Sequence, residues 1–471
     1  MEKRSIIPTV LFGSLLAALL CAGCAHYPAN RLLKEVSPES GYRLNNPSQS
    51  ARSDEMILIL TFSGGGTRAA ALAYGVMEQL AQTEITLEGR KRNLLDEVDA
   101  ISGVSGGSFP AAYYGLYGRK IFDDFETRFL KRNVQKDLIL ETLSLGNWFR
   151  LMSSKFGRSD LAAEYYDRIL FEGKTFGDIQ SQGGPLILIN ATDLVQGSHF
   201  TFTQDMFDPI CSDVSTFPVS RAVAASSAVP GLLTPITLYN YAGTCGYQPA
   251  PWMKKAIAEP SDSRRRTQRA LNFQSYLDPK KRPYIHLIDG GPSDNLGLKG
   301  AVDRLNPLED IWPSLQFLKW EKTRKFVFIL VNAEKETVTD TDKLEQTVSS
   351  GDVLKYITNI PISRSNFETI ELFRENARRW GEEIRSQRCR GTLPAGGQSP
   401  ASPGIEGCAD IDFYLIEVDF DVLPAEGERG YYKNLPTSFH LSPEAIDLLR
   451  AAGQRILLRS PEFQRLLRDL K

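Results

Sequence analysis

Residues 56–68 read Met56-Ile-Leu-Ile-Leu-Thr-Phe-Ser-Gly-Gly-Gly-Thr-Arg68. The first seven are apolar but for one threonine. That length and continuity fit a strand buried on both faces. Three glycines break the run, and then Ala69, Leu72, Ala73, Val76 and Leu80 recur at helical spacing. Strand, glycine turn and amphipathic helix form the opening unit of an α/β sheet. Downstream, Val98–Ser102, Pro185–Asn190, Tyr284–Ile288, Phe326–Val331 and Phe413–Phe420 are further strand candidates with helical stretches between them. The alternation predicts a mainly parallel, doubly wound sheet flanked by helices. Ser442-Pro-Glu and Ser460-Pro-Glu each combine an N-cap, a proline at the first helical position and an acid in the first turn, so each opens a helix.

Upstream, Lys3 and Arg4 precede an apolar run, Ile6–Leu20, and then Cys21-Ala-Gly-Cys24. The run is too short for a comfortable membrane span and has the layout of a secretory signal. Its small residues before Cys24 resemble a bacterial lipobox, although Cys21 stands where that motif usually has Leu, Val or Ile. The resemblance implies cleavage before Cys24, lipidation of its sulfur and an exported, membrane-anchored protein. Ala25 rather than aspartate follows the cysteine, which favours an outer membrane. Cleavage after Ala25 is the alternative. The expected organisation is a signal over 1–23, an anchored tether over 24–55 and one α/β domain over 56–471. Insertions are expected near 120–180, 254–282, 333–353 and 386–410.

Composition narrows the function. With 55 Lys and Arg against 57 Asp and Glu, a net charge of −2 argues against a generally basic nucleic-acid binder. The basic excess is local, in Lys254, Lys255, Arg264, Arg265, Arg266, Arg269, Lys280, Lys281 and Arg282. Such a cluster would suit anionic lipid head groups near the site, or be a solvated insertion. Export would put Cys211, Cys245, Cys389 and Cys408 in an oxidising compartment. Proximity favours Cys211–Cys245 and Cys389–Cys408. None of the cysteines has a CxxC spacing, and no metal or cofactor motif is visible.

Three segments carry chemistry. Gly103-Val-Ser105-Gly-Gly107 matches GxSxG between a strand and a helix, where a nucleophile elbow belongs. Gly64, Gly65 and Gly66 can aim backbone N–H groups at one point. No Gly-Lys-Ser/Thr follows, so an oxyanion hole fits better than a phosphate loop. Asp289-Gly-Gly291 ends a strand and brings a carboxylate to the sheet's rim. Of the histidines, only His440 follows both Ser105 and Asp289, as an α/β-hydrolase triad requires. It reads more simply as a loop residue.

These motifs, with Ala224-Ala-Ser-Ser-Ala-Val-Pro230, resemble the patatin-like phospholipases, in family order over residues 56–301. Ser63 and Ala69 depart from the plant pattern and look like the animal cytosolic phospholipases. The resemblance implies a patatin-like three-layer fold and a lipolytic acyl hydrolase working without cofactor or metal. It implies a Ser105–Asp289 dyad, with Ser105 as nucleophile and Asp289 as general base, Gly64–Gly66 holding the oxyanion and Arg68 supporting the cradle. Membrane phospholipid or another acyl lipid is the expected substrate. A Ser–Asp–His esterase, a non-catalytic envelope lipoprotein and an acyl transferase remain as alternatives.

Overall fold

A computed structural model describes residues 25–43, 52–260, 263–305, 311–335, 345, 349–390 and 411–471. The expected signal, Cys24 and Cys408 lie outside the described residues. The elements that position the site are β1 (Met56–Phe62), α1 (Gly66–Gln82), β2 (Val98–Val104), α2 (Ser108–Tyr117), β3 (Leu186–Asp193), α3 (Val219–Ser226), β4 (Ile236–Tyr239), β5 (Tyr284–Asp289), β6 (Lys325–Asn332), α4 (Ser350–Arg390), β7 (Asp412–Asp419), α5 (Pro443–Arg459) and α6 (Pro461–Asp469).

The sheet order is β7-β6-β1-β2-β3-β5-β4, and the short strand His199–Thr201 also pairs with β3. From β7 to β3 every pairing is parallel; β5 is antiparallel to both β3 and β4. Alternation along the strands feeds two cores. Met56, Leu58, Leu60 and Phe62 of β1, with Val327, Ile329 and Val331 of β6, pack toward α1, α2 and α5. Ile57 and Ile59, with Phe326, Phe328 and Leu330, face Leu298, Leu315, Phe373 and Trp380 on the other side. The result is helix, sheet and helix, three layers, as expected of an α/β chain whose strands are apolar on both faces.

Small residues allow α1 and α5 to cross closely. A side chain at Gly75 of α1 would meet the Arg450 carbonyl of α5, and one at Gly453 would meet the Leu72 carbonyl. Both serine-proline helix starts form as read: Ser442 Oγ accepts from Ala445 N–H and Ser460 Oγ from Phe463 N–H.

The segment expected as a tether is, over residues 25–43, part of the domain. Tyr42 is buried, donates to the Ile187 carbonyl and accepts from the Ile187 N–H. Arg43 is buried between Asp205 and Asp208. Asn30 bonds Ser212 and Tyr239. Polar composition suggested a free linker. The polar groups are instead matched by buried partners, which is the arrangement that burial requires of them. Cys211 and Cys245 form a disulfide, and Cys389 is also disulfide-bonded.

Candidate active site

Register brings the expected residues together. Phe62, the last residue of β1, pairs with Gly103 of β2. The loops leaving these two strands, 63–66 and 105–107, therefore lie side by side at the carboxyl edge of the sheet. Val104 pairs with Asn190 of β3, and Ala191 pairs with Asp289 of β5. Although β5 runs antiparallel, it overlaps β3 only over Ala191–Asp193. Its carboxyl end therefore stops level with Val104, beside Ser105.

Ser105 occupies a left-handed conformation, φ 49°, which a non-glycine residue adopts only under local constraint. The constraint is visible. A side chain at Gly106 would sit 2.0 Å from the Gly66 carbonyl oxygen, and one at Gly107 would meet the Phe62 carbonyl at 2.6 Å. Only glycine permits that approach, and the chain must turn there. The Ser105 N–H donates to Ser226 Oγ (2.9 Å), and its carbonyl accepts from Ser108 Oγ (2.5 Å).

Asp289 lies beside Ser105, whose hydroxyl is near enough to favour its charged form, and it accepts from the Gly291 N–H at 2.8 Å. Burial pushes its carboxyl up to about 6; the Gly291 N–H and the Ser105 hydroxyl oppose that rise. Ser105 is 5% and Asp289 8% exposed, so both are screened from bulk water. The Asp289 N–H donates to the Ala228 carbonyl and the Gly290 N–H to the Ser226 carbonyl. The alanine- and serine-rich stretch thus ties the Ser105 amide and the Asp289 loop to one anchor.

The glycine cradle narrows from three N–H groups to two. Gly64 N–H donates to the Asn295 carbonyl at 3.0 Å and is engaged. Gly65 and Gly66, at φ 141° and 61°, turn the chain into α1, and their N–H groups take no backbone acceptor among the described residues. No acidic residue occupies the first turn of α1. Its positive end is left for a ligand. The Gly64 α-carbon lies against Ser105, since a β-carbon there would be 3.4 Å from that of Ser105.

Arg68 is buried behind the cradle. Its guanidinium donates to the carbonyls of Ala333 and Leu435 and to Thr437 Oγ1. Burial lowers it to about 10, which leaves it cationic at neutral pH, and Glu334 opposes the fall. These bonds fix residues 435–438 against the glycines; Thr67 N–H likewise donates to the Ser438 carbonyl. Arg68 organises the cradle.

The histidines are placed elsewhere. His286 accepts or donates at Thr237 Oγ1, and His199 bonds Asn190 and Thr201. His440 is exposed. Asp289 and Ser105 have no histidine partner among the described residues. A cavity of about 1050 Å³ lies between residues 263–276 and α4, lined by Arg264, Arg265, Arg266 and Arg269 together with Glu368 and Glu371. Neither Ser105, Asp289 nor the glycines line it. Four of the nine basic residues expected near the site therefore open onto a separate cavity, and Arg282 instead pairs with Asp193. Ser226, Asn295 and Ser438, which complete the site, carried no motif of their own; only the alanine- and serine-rich stretch pointed to the first.

Residues 60–302 match the family of patatin-like phospholipases. The chain belongs to that family. Its members are lipolytic hydrolases acting on lipid substrates. Solved structures similar to this patatin-like phospholipase include human GIVD cytosolic phospholipase A2 (12% identity, 95% of this chain and 68% of that one, TM-score 0.40). The same human enzyme with methyl gamma-linolenyl fluorophosphonate inhibitor and terbium chloride gives 12%, 94% and 66%, and 0.41. VipD from Legionella pneumophila gives 12%, 90% and 71%, and 0.25. No curated protein matches.

Proposed function

We propose that the chain is a serine acyl hydrolase of the phospholipase or lysophospholipase type, using Ser105 as nucleophile and Asp289 as general base. The observation that carries this reading is a strained, elbow-borne Ser105 set beside a buried aspartate whose carboxyl is raised to about 6. An ordinary aspartate near 4 is a weak base at neutral pH; one near 6 holds a proton far more firmly while still ionised at pH 7.

Asp289 takes the Ser105 hydroxyl proton as Oγ bonds to the ester carbonyl carbon. The carbonyl π pair moves onto oxygen, where the Gly65 and Gly66 N–H groups and the end of α1 hold the charge. Collapse breaks the ester C–O bond, and Asp289 returns the proton to the departing alkoxide. Water then gives a proton to Asp289 and attacks the acyl-enzyme. Fatty acid leaves, and Ser105 regains its hydrogen. Arg68 acts through the cradle it holds. We further propose that the mature chain begins at Cys24 as an exported lipoprotein, acylated with a fatty acid such as palmitate and held at the membrane that contains its substrate.

A fluorophosphonate probe tests the chemistry. The wild type should be labelled on Ser105 and Ser105→Ala should not. Labelling that persists in Ser105→Ala, or loss of turnover in His440→Ala, would assign another nucleophile or a triad.

A further inference from the structure

The described residues carry nineteen strongly exposed large apolar side chains, and six fall within residues 139–152: Ile139, Leu140, Leu143, Leu145, Trp148 and Met152. They do not scatter. Ile139, Leu140 and Leu143 lie on one face of the helix Val134–Leu143, at spacings of three and four. Leu145 and Trp148 of the next helix, Leu145–Leu151, which has no buried residue, and Met152 at its C-cap repeat that spacing. Leu143 and Leu145 are 71% and 77% exposed. Two consecutive helices thus turn apolar stripes outward, the reverse of what a helix packed on a core does. Exposed Lys136 and Lys155 flank the stripes.

Two further observations locate this ridge. The chain that follows Cys24 docks at its end: Ser153 Oγ donates to the Ala25 carbonyl at 2.6 Å, and Tyr27 N–H donates to the Lys155 carbonyl at 2.7 Å. Cys24 is therefore one residue from a backbone pinned beside Met152. The ridge also borders the site. Gln135 N–H donates to the Phe439 carbonyl, the next residue from Ser438, whose carbonyl accepts from Thr67 N–H in the cradle. The Phe439 ring packs on Phe109 of α2, four residues past Ser105. On the other side Arg158 donates to the Gly231 carbonyl in the loop that follows the serine-rich stretch, where Leu232 is exposed.

The geometry points to the ridge 139–152 as a membrane-docking surface whose occupant is a lipid bilayer. Its apolar stripes lie in the interfacial layer, beside the acyl chain on Cys24, and turn the Ser105 edge of the sheet toward the lipid. Tryptophan and leucine with flanking lysines are the composition of interfacial helices. A bilayer accounts for the position of the N-terminal segment, which a second copy of the chain would not. The inference rests on the proposed lipid substrate and anchor.

The test uses the mature, full-length protein on vesicles of phosphatidylethanolamine and phosphatidylglycerol, part of the lipid brominated along its acyl chains. Tryptophan fluorescence should be quenched in the parent, and Trp148→Phe should remove most of that quenching. The triple variant Leu143→Ser, Leu145→Ser, Met152→Ser should melt within a few degrees of the parent. It should lose at least about tenfold of vesicle phospholipid hydrolysis, the effect of withdrawing several partly inserted side chains from lipid. Quenching equal in parent and Trp148→Phe overturns the inference, as does triple-variant vesicle hydrolysis within twofold of the parent. So does a triple variant that changes only the sedimentation of the protein, which would assign the ridge to a second copy. A parent that hydrolyses neither vesicles nor a short soluble ester would refute the catalytic reading, while quenching would still decide the ridge.

Discussion

Two aspartates at opposite ends of the same sheet differ in what surrounds them. Asp99 lies at the amino end of β2, where Arg52 pairs with it and the Leu58 N–H donates to it; burial nonetheless pushes it up to about 7. Asp289 lies at the carboxyl end of β5, is raised to about 6, and faces a serine hydroxyl and a glycine N–H. Both are perturbed by the same cause, desolvation, and Asp99 by more. The larger shift belongs to a carboxyl with an arginine and a backbone amide for company, which is a structural arrangement. A raised carboxyl marks burial; the serine on its strained turn beside it, and two N–H groups unengaged among the described residues, are what the proposed chemistry rests on.

The widest separation between the two should appear in rate. Ser105→Ala and Asp289→Asn should each lower kcat/KM on an acyl ester by at least about a thousandfold. Asp99→Asn should stay within about threefold. Equal losses at the two aspartates would break the comparison. Next comes pH. Since Asp289 must be ionised to accept a proton, activity should fall about tenfold per unit below an apparent pKa near 6. A limb near 7 that moves in Asp99→Asn would transfer the role to Asp99.

Ser226→Ala should cost about tenfold in kcat, the scale of one lost hydrogen bond at the amide that fixes the elbow, with the Ser105–probe adduct still forming slowly. Stability should move oppositely to activity at the site. The folded-state pKa of Asp289 is above its unfolded value, so the fold holds that proton more tightly and loses stability as pH rises from about 4 to about 6. At pH 8 the deficit is roughly 3 kcal/mol, and Asp289→Asn should raise the melting temperature by a few degrees at pH 8 but not at pH 3. The smallest effect is expected from His440→Ala, within twofold in rate, because its side chain is exposed. A fall of orders of magnitude would restore the histidine triad.

Much of this was legible in the chain because its signals are local. The run Met56–Phe62 needs no partner to read as a buried strand, and the serine-proline helix starts carry their own caps. GxSxG and the triple glycine declare themselves because the turns they make admit few other residues. The strand Ile236–Tyr239 has only four residues and no apolar run to announce it, and its place beside β5 comes from pairing. The docked course of residues 25–43 was hidden because Asn30, Tyr42 and Arg43 are polar or amphipathic, and their burial depends on partners about 145–210 residues away.

The sequence by itself determined the six longer strands of the sheet and the serine-proline helix starts, the family, and the expected identities of nucleophile and base, since each rests on residues adjacent in the chain. Only the tertiary structure decided that Gly64 is engaged by Asn295 while Gly65 and Gly66 remain, and that the Ser226 stretch holds both Ser105 and the Asp289 loop. It alone set Arg264, Arg265, Arg266 and Arg269 on a cavity apart from Ser105 and Asp289 and brought residue 25 to the apolar ridge. The reason is common to all four. A hydrogen-bond donor is free or occupied, and a surface is covered or bare, according to what folds against it, and those partners lie scores to hundreds of residues away.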